Sequence, residues 1–188
     1  MSEINVFTGP MKSGKSQMII NEAHRQQIAG KKIQMFKPKL DTRDYECVAD
    51  RNGNRLNAIN ITDIEEIKNY DVDVYVIDEF QFLDGNVNTI QEMASQGKKF
   101  FIAGLNLTAE KKPFGKMGDL LCVSDNVKML TSICEVCKND NAIYTYCKEN
   151  KSTDILVGDS QYIPVCRKCY DKLINGSILL NSWKTNIY

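Results

Sequence analysis

A segment near the start of the sequence has the residue types and the spacing of a phosphate-binding loop. It reads Gly9-Pro10-Met11-Lys12-Ser13-Gly14-Lys15-Ser16 and matches the pattern G-x-x-x-x-G-K-[ST] in full. Its glycines allow backbone N–H groups to surround a triphosphate, and a helix that begins here adds a favourable dipole. Lys15 is placed to contact the β- and γ-phosphates, and the Ser16 hydroxyl is placed to bind Mg²⁺. The segment therefore predicts a site for ATP or GTP.

Two adjacent carboxylates, Asp78 and Glu79, follow the apolar run Val74-Tyr75-Val76-Ile77. In a parallel sheet the carboxyl ends of the strands line the ligand crevice, so both side chains are expected to face the nucleotide. Asp78 suits a contact with Mg²⁺, and Glu79 is placed to accept a proton from an attacking hydroxyl group or water molecule. Taken alone, the two acids indicate an NTPase or a kinase.

Four of the seven cysteines form two Cys-x-x-Cys pairs, Cys134 with Cys137 and Cys166 with Cys169. Two such turns can close a tetrahedral site of four thiolates, which is structural because it leaves no position open for a substrate. The softness and the spacing of these ligands favour zinc. A redox-active Cys-x-x-Cys pair and an iron–sulfur cluster are the alternatives. A zinc ion here would hold the segment between the two pairs in a position that suits a lid.

The composition is typical of a globular protein without a charge bias. The chain has 188 residues, of which 43% are hydrophobic and 26% charged, and its 24 basic and 24 acidic residues cancel. These values exclude a chain disordered throughout, and the apolar runs are too short to span a bilayer. The neutral charge disfavours a protein that wraps nucleic acid. The first residues show no export signal, so we expect a reducing, cytoplasmic location, where paired cysteines bind metal.

Strand and helix patterns alternate along most of the sequence. We predict strands at residues 4–8, 32–37, 73–77 and 99–103, helices at residues 15–29, 62–70 and 84–96, and a mobile loop at residues 38–55. Thr62 and Glu65 fit a capping box for the second helix. Because several strands are almost continuously apolar, the pattern predicts an α/β fold: a parallel sheet with helices on both faces, as in RecA-like P-loop NTPases.

The character of the sequence changes after this alternating region. We expect residues 1–131 to form the P-loop nucleotide-binding domain and residues 132–172 to form a small zinc-binding unit with a lid loop. Residues 173–188 have a weak pattern and are expected to be a partly disordered tail.

The order of the motifs resembles that of the type II thymidine kinases, a cytosolic family that bacteria and large DNA viruses also have. The resemblance covers residues 4–170. It rests on the Pro-Met form of the phosphate loop, the segments Asp41-Thr42-Arg43, Asp78-Glu79-Phe80-Gln81-Phe82 and Lys112-Pro113-Phe114-Gly115, the four paired cysteines, the turn Val157-Gly158, and Tyr162 ahead of Cys166.

This resemblance implies a specific reaction. Enzymes of the family transfer the γ-phosphoryl group of ATP to the 5′-hydroxyl of thymidine, and we extend the expectation to deoxyuridine. The monophosphate product serves nucleotide salvage and DNA precursor synthesis. Family members are usually tetramers that the product triphosphate inhibits, so the resemblance also implies a homotetramer and feedback inhibition by thymidine triphosphate.

The resemblance also implies roles for individual residues. Glu79 would be the catalytic base, assisted by Lys15 and Arg43. The magnesium ligands would be Ser16, Asp78 and Asp41. The thymine would be held mainly by backbone groups of a zinc-braced loop at residues 156–162. The residues expected to contact the nucleoside are Met11, Gln81, Phe82, Leu105, Phe114, Leu156, Val157, Gly158 and Tyr162.

The sequence departs from the family pattern at a few positions around this site. Lys12 stands where phenylalanine is usual, and Asn106 and Ala109 replace an aspartate and a phenylalanine. A large-to-small change in a packed pocket leaves a void or admits a bulkier substrate. Two other function classes therefore stay open. One is an ATPase of the RecA-like or helicase kind that contacts nucleic acid through zinc, and the other is a nucleotide sensor without catalysis.

Overall fold

One sheet of seven strands organises most of the chain in this computed structural model, which describes residues 2–41, 47–49, 55–148 and 161–177. The strands lie side by side in the order β3-β4-β2-β5-β6-β1-β7. Every neighbouring pair is parallel except β3 with β4. The predicted α/β fold with a mainly parallel sheet is therefore confirmed. The strands are β1 (Ile4–Thr8), β2 (Ile33–Pro38), β3 (Cys47–Ala49), β4 (Arg55–Ile61), β5 (Val74–Ile77), β6 (Lys99–Gly104) and β7 (Asn126–Met129).

The helices agree with the sequence pattern where they are longest. In the described part of the chain the α-helices are α1 (Lys15–Ile28), α2 (Asn88–Ser95), α3 (Met117–Val123) and α4 (Arg167–Ile174). Helix α1 matches its prediction to within one residue, whereas α2 begins four residues after the predicted start at residue 84. None of the helices among the described residues has both the length and the apolar character needed to cross a membrane.

Alternation along the strands creates two cores, one on each face of the sheet. In β5, Val74 and Val76 pack on the face that α1 covers, together with Ile19 of that helix. Tyr75 and Ile77 point to the opposite face and join the core that α2 helps to form. Neighbouring residues of one strand are thus buried on different sides, which explains its continuous apolar run.

The helix predicted at residues 62–70 is a 3₁₀ helix, Ile64–Asn69. Its cap lies one residue further along than the predicted Thr62–Glu65 box. The Asp63 carboxylate accepts the Glu65 N–H at 2.8 Å, and the Glu66 carboxylate accepts the N–H groups of Thr62 at 2.7 Å and Asp63 at 3.0 Å. Aspartate caps a helix at least as well as threonine, so sequence spacing alone could not distinguish the two registers.

The loop predicted at residues 38–55 is interrupted by the short strand β3, and its first and last residues, Pro38 and Arg55, belong to β2 and β4. Strand β3 pairs antiparallel with β4, with Val48 opposite Leu56, and β4 continues the sheet beside β2. The asparagines in β4 interrupt its apolar alternation and hid it from the sequence pattern. Residues 42–46 and 50–54 of the predicted loop lie outside the described residues.

A smaller unit follows the sheet and has a core of its own. We call it the C-terminal unit and define it as the described residues 132–148 and 161–177. Its strands β8 (Tyr144–Cys147) and β9 (Tyr162–Val165) pair antiparallel, and α4 packs beside them through Tyr170 and Leu173.

Besides β3 and β4, the short elements α3, β7, β8, β9 and α4 were not predicted from the sequence. Short segments carry too few residues to show a clear period. Helix α4 ends at Ile174, inside the segment predicted as a tail, and residues 178–188 lie outside the described residues. The domain boundaries near residues 131 and 172 stay predictions.

Candidate active site and metal site

The carboxyl ends of three neighbouring strands meet at one place. Strand β6 lies between β1 and β5, with Thr8 opposite Gly104 and Ile77 opposite Ile102. The phosphate loop follows β1, the two adjacent carboxylates follow β5, and Leu105 follows β6. The sheet therefore brings three predicted segments to one crevice, as expected for ligand binding by a parallel sheet.

Two glycines give the phosphate loop its backbone path. Gly9 has a φ of 143°, and a Cβ atom there would lie 2.3 Å from the carbonyl oxygen of Leu130, so no other residue fits. Gly14 adopts a left-handed conformation with a φ of 84° and directly precedes α1. Because Gly14 has no side chain that could cap the helix, the first N–H groups of α1 can bind an anion.

The ammonium group of Lys15 lies over this loop. Its Nζ atom donates hydrogen bonds to the carbonyl oxygens of Pro10 at 2.7 Å and Gly9 at 3.3 Å, and it lies 3.4 Å from the hydroxyl of Ser13. The side chain is buried, with an exposed fraction of 8%. Phosphate oxygens are stronger partners for an ammonium group than carbonyl oxygens, so a triphosphate can replace these contacts.

A serine hydroxyl and a carboxylate form the next layer of the site. The Ser16 Oγ atom donates to Asp78 Oδ2 at 2.8 Å, while Asp78 Oδ1 accepts the N–H of Glu79 at 3.0 Å. Asp78 is buried, with an exposed fraction of 4%. Hydroxyl and carboxylate oxygens are the hard ligands that Mg²⁺ prefers, and two lie side by side here. The donor set therefore fits Mg²⁺.

Glu79 accepts a hydrogen bond from Gln81, which also contacts the loop after β6. It has a φ of 49°, an unusual left-handed conformation for a glutamate. Its Oε2 atom accepts a hydrogen bond from Gln81 Nε2 at 2.6 Å, and Gln81 Oε1 accepts the N–H of Leu105 at 2.9 Å. Gln81 thus connects the carboxylate after β5 to the loop after β6, and both ends of its amide are used.

Two aromatic rings border this part of the crevice. Phe82 and Phe114 contact each other edge to face, with ring centroids 5.3 Å apart and an angle of 85°. The next residue, Gly115, has a φ of 51°, and a Cβ atom there would lie 2.2 Å from the carbonyl oxygen of Gln81. The loop that carries Phe114 therefore passes directly against Gln81.

The other predicted site residues are placed only in part. Asp41 is buried just beyond β2, the neighbour of β5, and its N–H donates to the carbonyl of Pro38 at 2.9 Å. The N–H of Met11 donates to Thr145 Oγ1 at 3.0 Å, and Tyr162 begins β9. Outside the described residues lie Arg43, Leu156, Val157 and Gly158.

The four paired cysteines converge in the C-terminal unit. The Sγ atoms of Cys134, Cys137, Cys166 and Cys169 all lie within 4.8 Å of one another. Those of Cys137 and Cys166 are 3.8 Å apart, which matches the edge of about 3.8 Å of a tetrahedron with Zn–S bonds of about 2.3 Å. The cluster can therefore hold zinc, as the sequence spacing predicts.

Backbone groups around one of these sulfurs favour a thiolate. Burial raises the pKa of the Cys134 thiol, but hydrogen bonds from the N–H groups of Cys137, Cys166 and Val136 outweigh burial and lower the pKa to about 7. For Cys169, burial and the neighbouring sulfurs raise the pKa. Metal ions bind the thiolate form, so a bound dication would favour deprotonation of the whole cluster.

Comparison with known proteins identifies the family of this chain. A family model described as thymidine kinase matches residues 2–170. The chain belongs to the thymidine kinase family. A thymidine kinase from Mycoplasma mobile is 37% identical over 190 residues, covering 98% of this chain and 94% of that protein. Another from Porphyromonas gingivalis is 34% identical over 176 residues, covering 90% of this chain and 85% of that protein.

Membership of the thymidine kinase family confirms the predicted family, the predicted enzyme class and the use of ATP. It also decides between the classes that the phosphate loop and the adjacent acids alone left open, because a kinase transfers a phosphoryl group to a second substrate. The roles of the individual site residues stay predictions.

Sequence reasoning missed three polar residues of this thymidine kinase that contact the phosphate loop. Ser132, Glu135 and Thr145 all belong to the C-terminal unit and contact Lys12 or Met11. Glu135 lies within a Cys-x-x-Cys pair, but that motif does not predict a contact with the phosphate loop, and all three residues lie more than a hundred residues from the loop in sequence. Only tertiary packing reveals contacts of this kind.

Proposed function

We propose that this thymidine kinase transfers the γ-phosphoryl group of ATP to the 5′-hydroxyl of thymidine, and that it also accepts deoxyuridine. The observation that supports this most directly is the contact of Ser16 with Asp78 at the strand ends, followed at once by Glu79. Phosphoryl transfer needs a cation beside the phosphates and a proton acceptor beside the attacking hydroxyl. These three side chains supply both requirements.

The phosphate loop would bind the triphosphate of ATP. The first N–H groups of α1 would bind phosphate oxygens, and Lys15 would exchange its carbonyl partners for the β- and γ-phosphates. Ser16 and Asp78 would hold Mg²⁺, joined by Asp41. When bound, Mg²⁺ neutralises charge that develops on the phosphates during transfer. Arg43 would add a further positive charge near the transferred group.

Glu79 would accept the proton of the acceptor hydroxyl. The hydrogen bond from Gln81 orients the carboxylate, and the left-handed backbone at Glu79 turns the chain sharply after β5. As the 5′-oxygen forms its bond to the γ-phosphorus, the bond from that phosphorus to the β–γ bridging oxygen breaks and ADP leaves. The proton of the hydroxyl passes to Glu79.

The nucleoside would bind beside the aromatic pair. Phe82 and Phe114 form an apolar edge next to Gln81, where a flat base could pack. Ala109, on the same loop as Phe114, is smaller than the phenylalanine usual in the family, so we expect the pocket to tolerate a bulkier substituent on a pyrimidine base. The remaining pocket residues would be Met11, Leu105, Tyr162 and the backbone of Leu156, Val157 and Gly158.

We propose further properties, some from the residues themselves and the others from the resemblance. The cysteine cluster would hold a structural zinc ion that braces the lid loop, a role for which the sulfur geometry supplies additional support. The protein would be a cytoplasmic homotetramer. Thymidine triphosphate would inhibit it by feedback. Its product would enter nucleotide salvage and DNA precursor synthesis.

A panel of acceptors tests this proposal. Purified zinc-loaded protein is incubated with ATP and Mg²⁺ and, in separate reactions, with thymidine, deoxyuridine, deoxycytidine and deoxyadenosine. In each reaction, the nucleoside monophosphate and ADP are quantified by chromatography. We expect monophosphate from thymidine and deoxyuridine, in amounts equal to the ADP formed, and none from the other two.

Two results would contradict the proposal and revive the alternatives. ADP formation without any nucleoside monophosphate, stimulated by DNA, would indicate an ATPase that acts on nucleic acid. Binding of thymidine and ATP without formation of either product would indicate a catalytically silent sensor.

A further inference from the structure

We propose that the ion pair between Lys12 and Glu135 positions the phosphate loop for nucleotide binding. The C-terminal unit would then act on the ATP site directly, in addition to bracing the nucleoside site. The proposal rests on the proposed function in one respect, namely that the phosphate loop binds the phosphates of ATP.

Lys12 has a strained backbone within the phosphate loop. Its φ of 61° places a lysine in the left-handed region. Residues with a Cβ atom pay roughly 1 kcal/mol or more for this conformation and keep it only where the surroundings enforce it. The contacts that hold Lys12 therefore help to determine the backbone shape of the loop.

Two contacts from the C-terminal unit fix this residue. The Lys12 Nζ atom lies 2.5 Å from Glu135 Oε1, and the Lys12 carbonyl oxygen accepts a hydrogen bond from the Ser132 hydroxyl at 3.0 Å. Both side chains of the ion pair are only partly exposed, at 24% and 36%. One contact restrains the side chain and the other restrains the carbonyl, so together they determine the backbone orientation.

The residues that make these contacts are themselves held firmly. Glu135 lies between the metal-site residues Cys134 and Cys137, and its N–H donates to the carbonyl of Pro164 at 2.9 Å. Ser132 exchanges two backbone hydrogen bonds with Ala142, at 2.9 and 3.0 Å. The C-terminal unit thus presents a rigid base to the phosphate loop.

The position of Lys12 in the loop explains why nucleotide binding should be affected. Lys12 is followed by Ser13, Gly14 and Lys15, whose N–H groups begin the anion site at the start of α1. A return of Lys12 to the right-handed region would rotate the peptide that follows it and turn these N–H groups away from the phosphates. If the ion pair already holds Lys12 in the left-handed region, nucleotide binding does not have to supply the free energy for ordering the loop.

The variant Glu135→Gln tests the proposal in the full-length, zinc-loaded protein. It removes the charge of the ion pair and keeps the size of the side chain. We expect the dissociation constant for ADP, measured by calorimetry, and the KM for ATP to rise about twofold to fivefold, the range of a partly exposed ion pair. The KM for thymidine and kcat should change by less than twofold. Zinc content is measured by mass spectrometry of the native protein.

A matched control is a second ion pair of the C-terminal unit, which does not include a phosphate-loop residue. Lys111 Nζ lies 3.0 Å from Asp171 Oδ1, and this pair contacts the loop that follows β6 instead of the phosphate loop. The variant Asp171→Asn should leave the affinity for ADP unchanged. An equal loss of ADP affinity in Asp171→Asn and Glu135→Gln would overturn the proposal, because it would indicate general loosening of the unit.

A double-mutant cycle isolates the pair itself. Lys12→Met and the double variant with Glu135→Gln are compared with the single variants, and we expect the two effects to be non-additive. Unchanged or tighter ADP binding in Glu135→Gln would overturn the proposal, since tighter binding would mean that Glu135 competes with phosphate for Lys12. ADP binding needs no turnover, so this result is independent of whether thymidine is phosphorylated.

Discussion

Side chains at the strand ends are oriented by partly buried hydrogen bonds that use both ends of each polar group. Asp78 accepts the Ser16 hydroxyl on one oxygen and the Glu79 N–H on the other. Gln81 donates to Glu79 and accepts from Leu105. Groups held by two hydrogen bonds keep their positions before the substrates bind, and phosphoryl transfer depends largely on positioning.

Replacement of the proposed base should impair the chemical step alone. Glu79→Gln keeps the size of the side chain and an oxygen that can accept the hydrogen bond from Gln81, but it cannot take up a proton at neutral pH. We expect kcat to fall by about 10²- to 10⁴-fold, with the dissociation constant for ADP changed by less than twofold. Glu110→Gln, at an exposed carboxylate, is the control. Full turnover in Glu79→Gln would remove the assigned role.

Loss of the Gln81 amide should act through Glu79. Gln81→Leu removes the donor to the Glu79 carboxylate and leaves the N–H of Leu105 without its acceptor. We expect kcat to fall by at least about tenfold. The free energy of unfolding in urea should fall by about 1–3 kcal/mol, because the backbone N–H of Leu105 loses its hydrogen bond. The variant Gln91→Leu, on α2, provides a comparison for an amide away from the site. Unchanged kcat in Gln81→Leu would show that this hydrogen bond does not position the base.

At the residue scale, the sequence predicts those site residues whose function depends on their spacing along the chain. The phosphate loop, Asp78 and Glu79 could be predicted because their spacing along the chain is itself the requirement for binding phosphate and metal. The partners of Lys12 could not be predicted, because Ser132 and Glu135 reach it only through the folding of a separate unit.

At the scale of elements, the burial of apolar residues on both faces of the sheet determines which strands and helices form. Long elements with a clear period, such as α1 and β6, agree with their predictions to within one residue. Strand β4 was missed because its asparagines break the alternation, although Leu56 and Ile61 pack into opposite cores. The short helix predicted at residues 62–70 is the 3₁₀ helix Ile64–Asn69, because the capping pattern does not distinguish a 3₁₀ helix from an α-helix.

The cap of this 3₁₀ helix should contribute stability that depends on pH. Hydrogen bonds from the backbone N–H groups of Thr62 and Asp63 lower the pKa of Glu66 from its ordinary value of 4.5. A group with a lowered folded-state pKa stabilises the fold fully above its ordinary pKa, and the contribution declines as pH falls through the lowered value. Glu66→Ala should therefore lower the free energy of unfolding by about 1 kcal/mol at pH 7, and by less near pH 3.

Urea unfolding of the wild type and Glu66→Ala at several pH values measures this effect. The two proteins are compared at equal pH, so that a change in zinc binding affects both and cancels. A difference in stability that is the same at pH 3 and pH 7 would contradict the role of the carboxylate charge.

At the scale of the whole molecule, the C-terminal unit contacts two loops at the carboxyl ends of the strands. The C-terminal unit contacts the phosphate loop through Ser132 and Glu135, and it contacts the loop after β6 through the hydroxyl of Tyr170, which donates to the carbonyl of Ala109 at 2.6 Å. Lys111 also lies over the ring of Tyr170, 3.9 Å from its centroid. We therefore expect both proposed substrate sites to depend on the order of this unit.

Removal of zinc should weaken substrate binding before it unfolds the sheet. The sheet has two large cores of its own, whereas the core of the C-terminal unit includes the sulfur ligands themselves. After chelation we expect the affinity for thymidine to fall by about tenfold or more, with most of the circular dichroism of the sheet domain retained at 25 °C. Calorimetry with thymidine measures the affinity, and zinc addition should restore it. Unchanged affinity in the metal-free protein would refute the bracing role.

The central claim is that the site at the carboxyl ends of β1, β5 and β6 transfers a phosphoryl group to the 5′-oxygen of thymidine. The most direct test is to incubate the zinc-loaded protein with thymidine, Mg²⁺ and ATP that carries ¹⁸O on its γ-phosphoryl group, and to identify the products by ³¹P NMR and mass spectrometry. We predict that the label appears in thymidine 5′-monophosphate, with one ADP formed for each molecule. Label recovered only as inorganic phosphate, or unreacted ATP beside bound thymidine, would contradict the account.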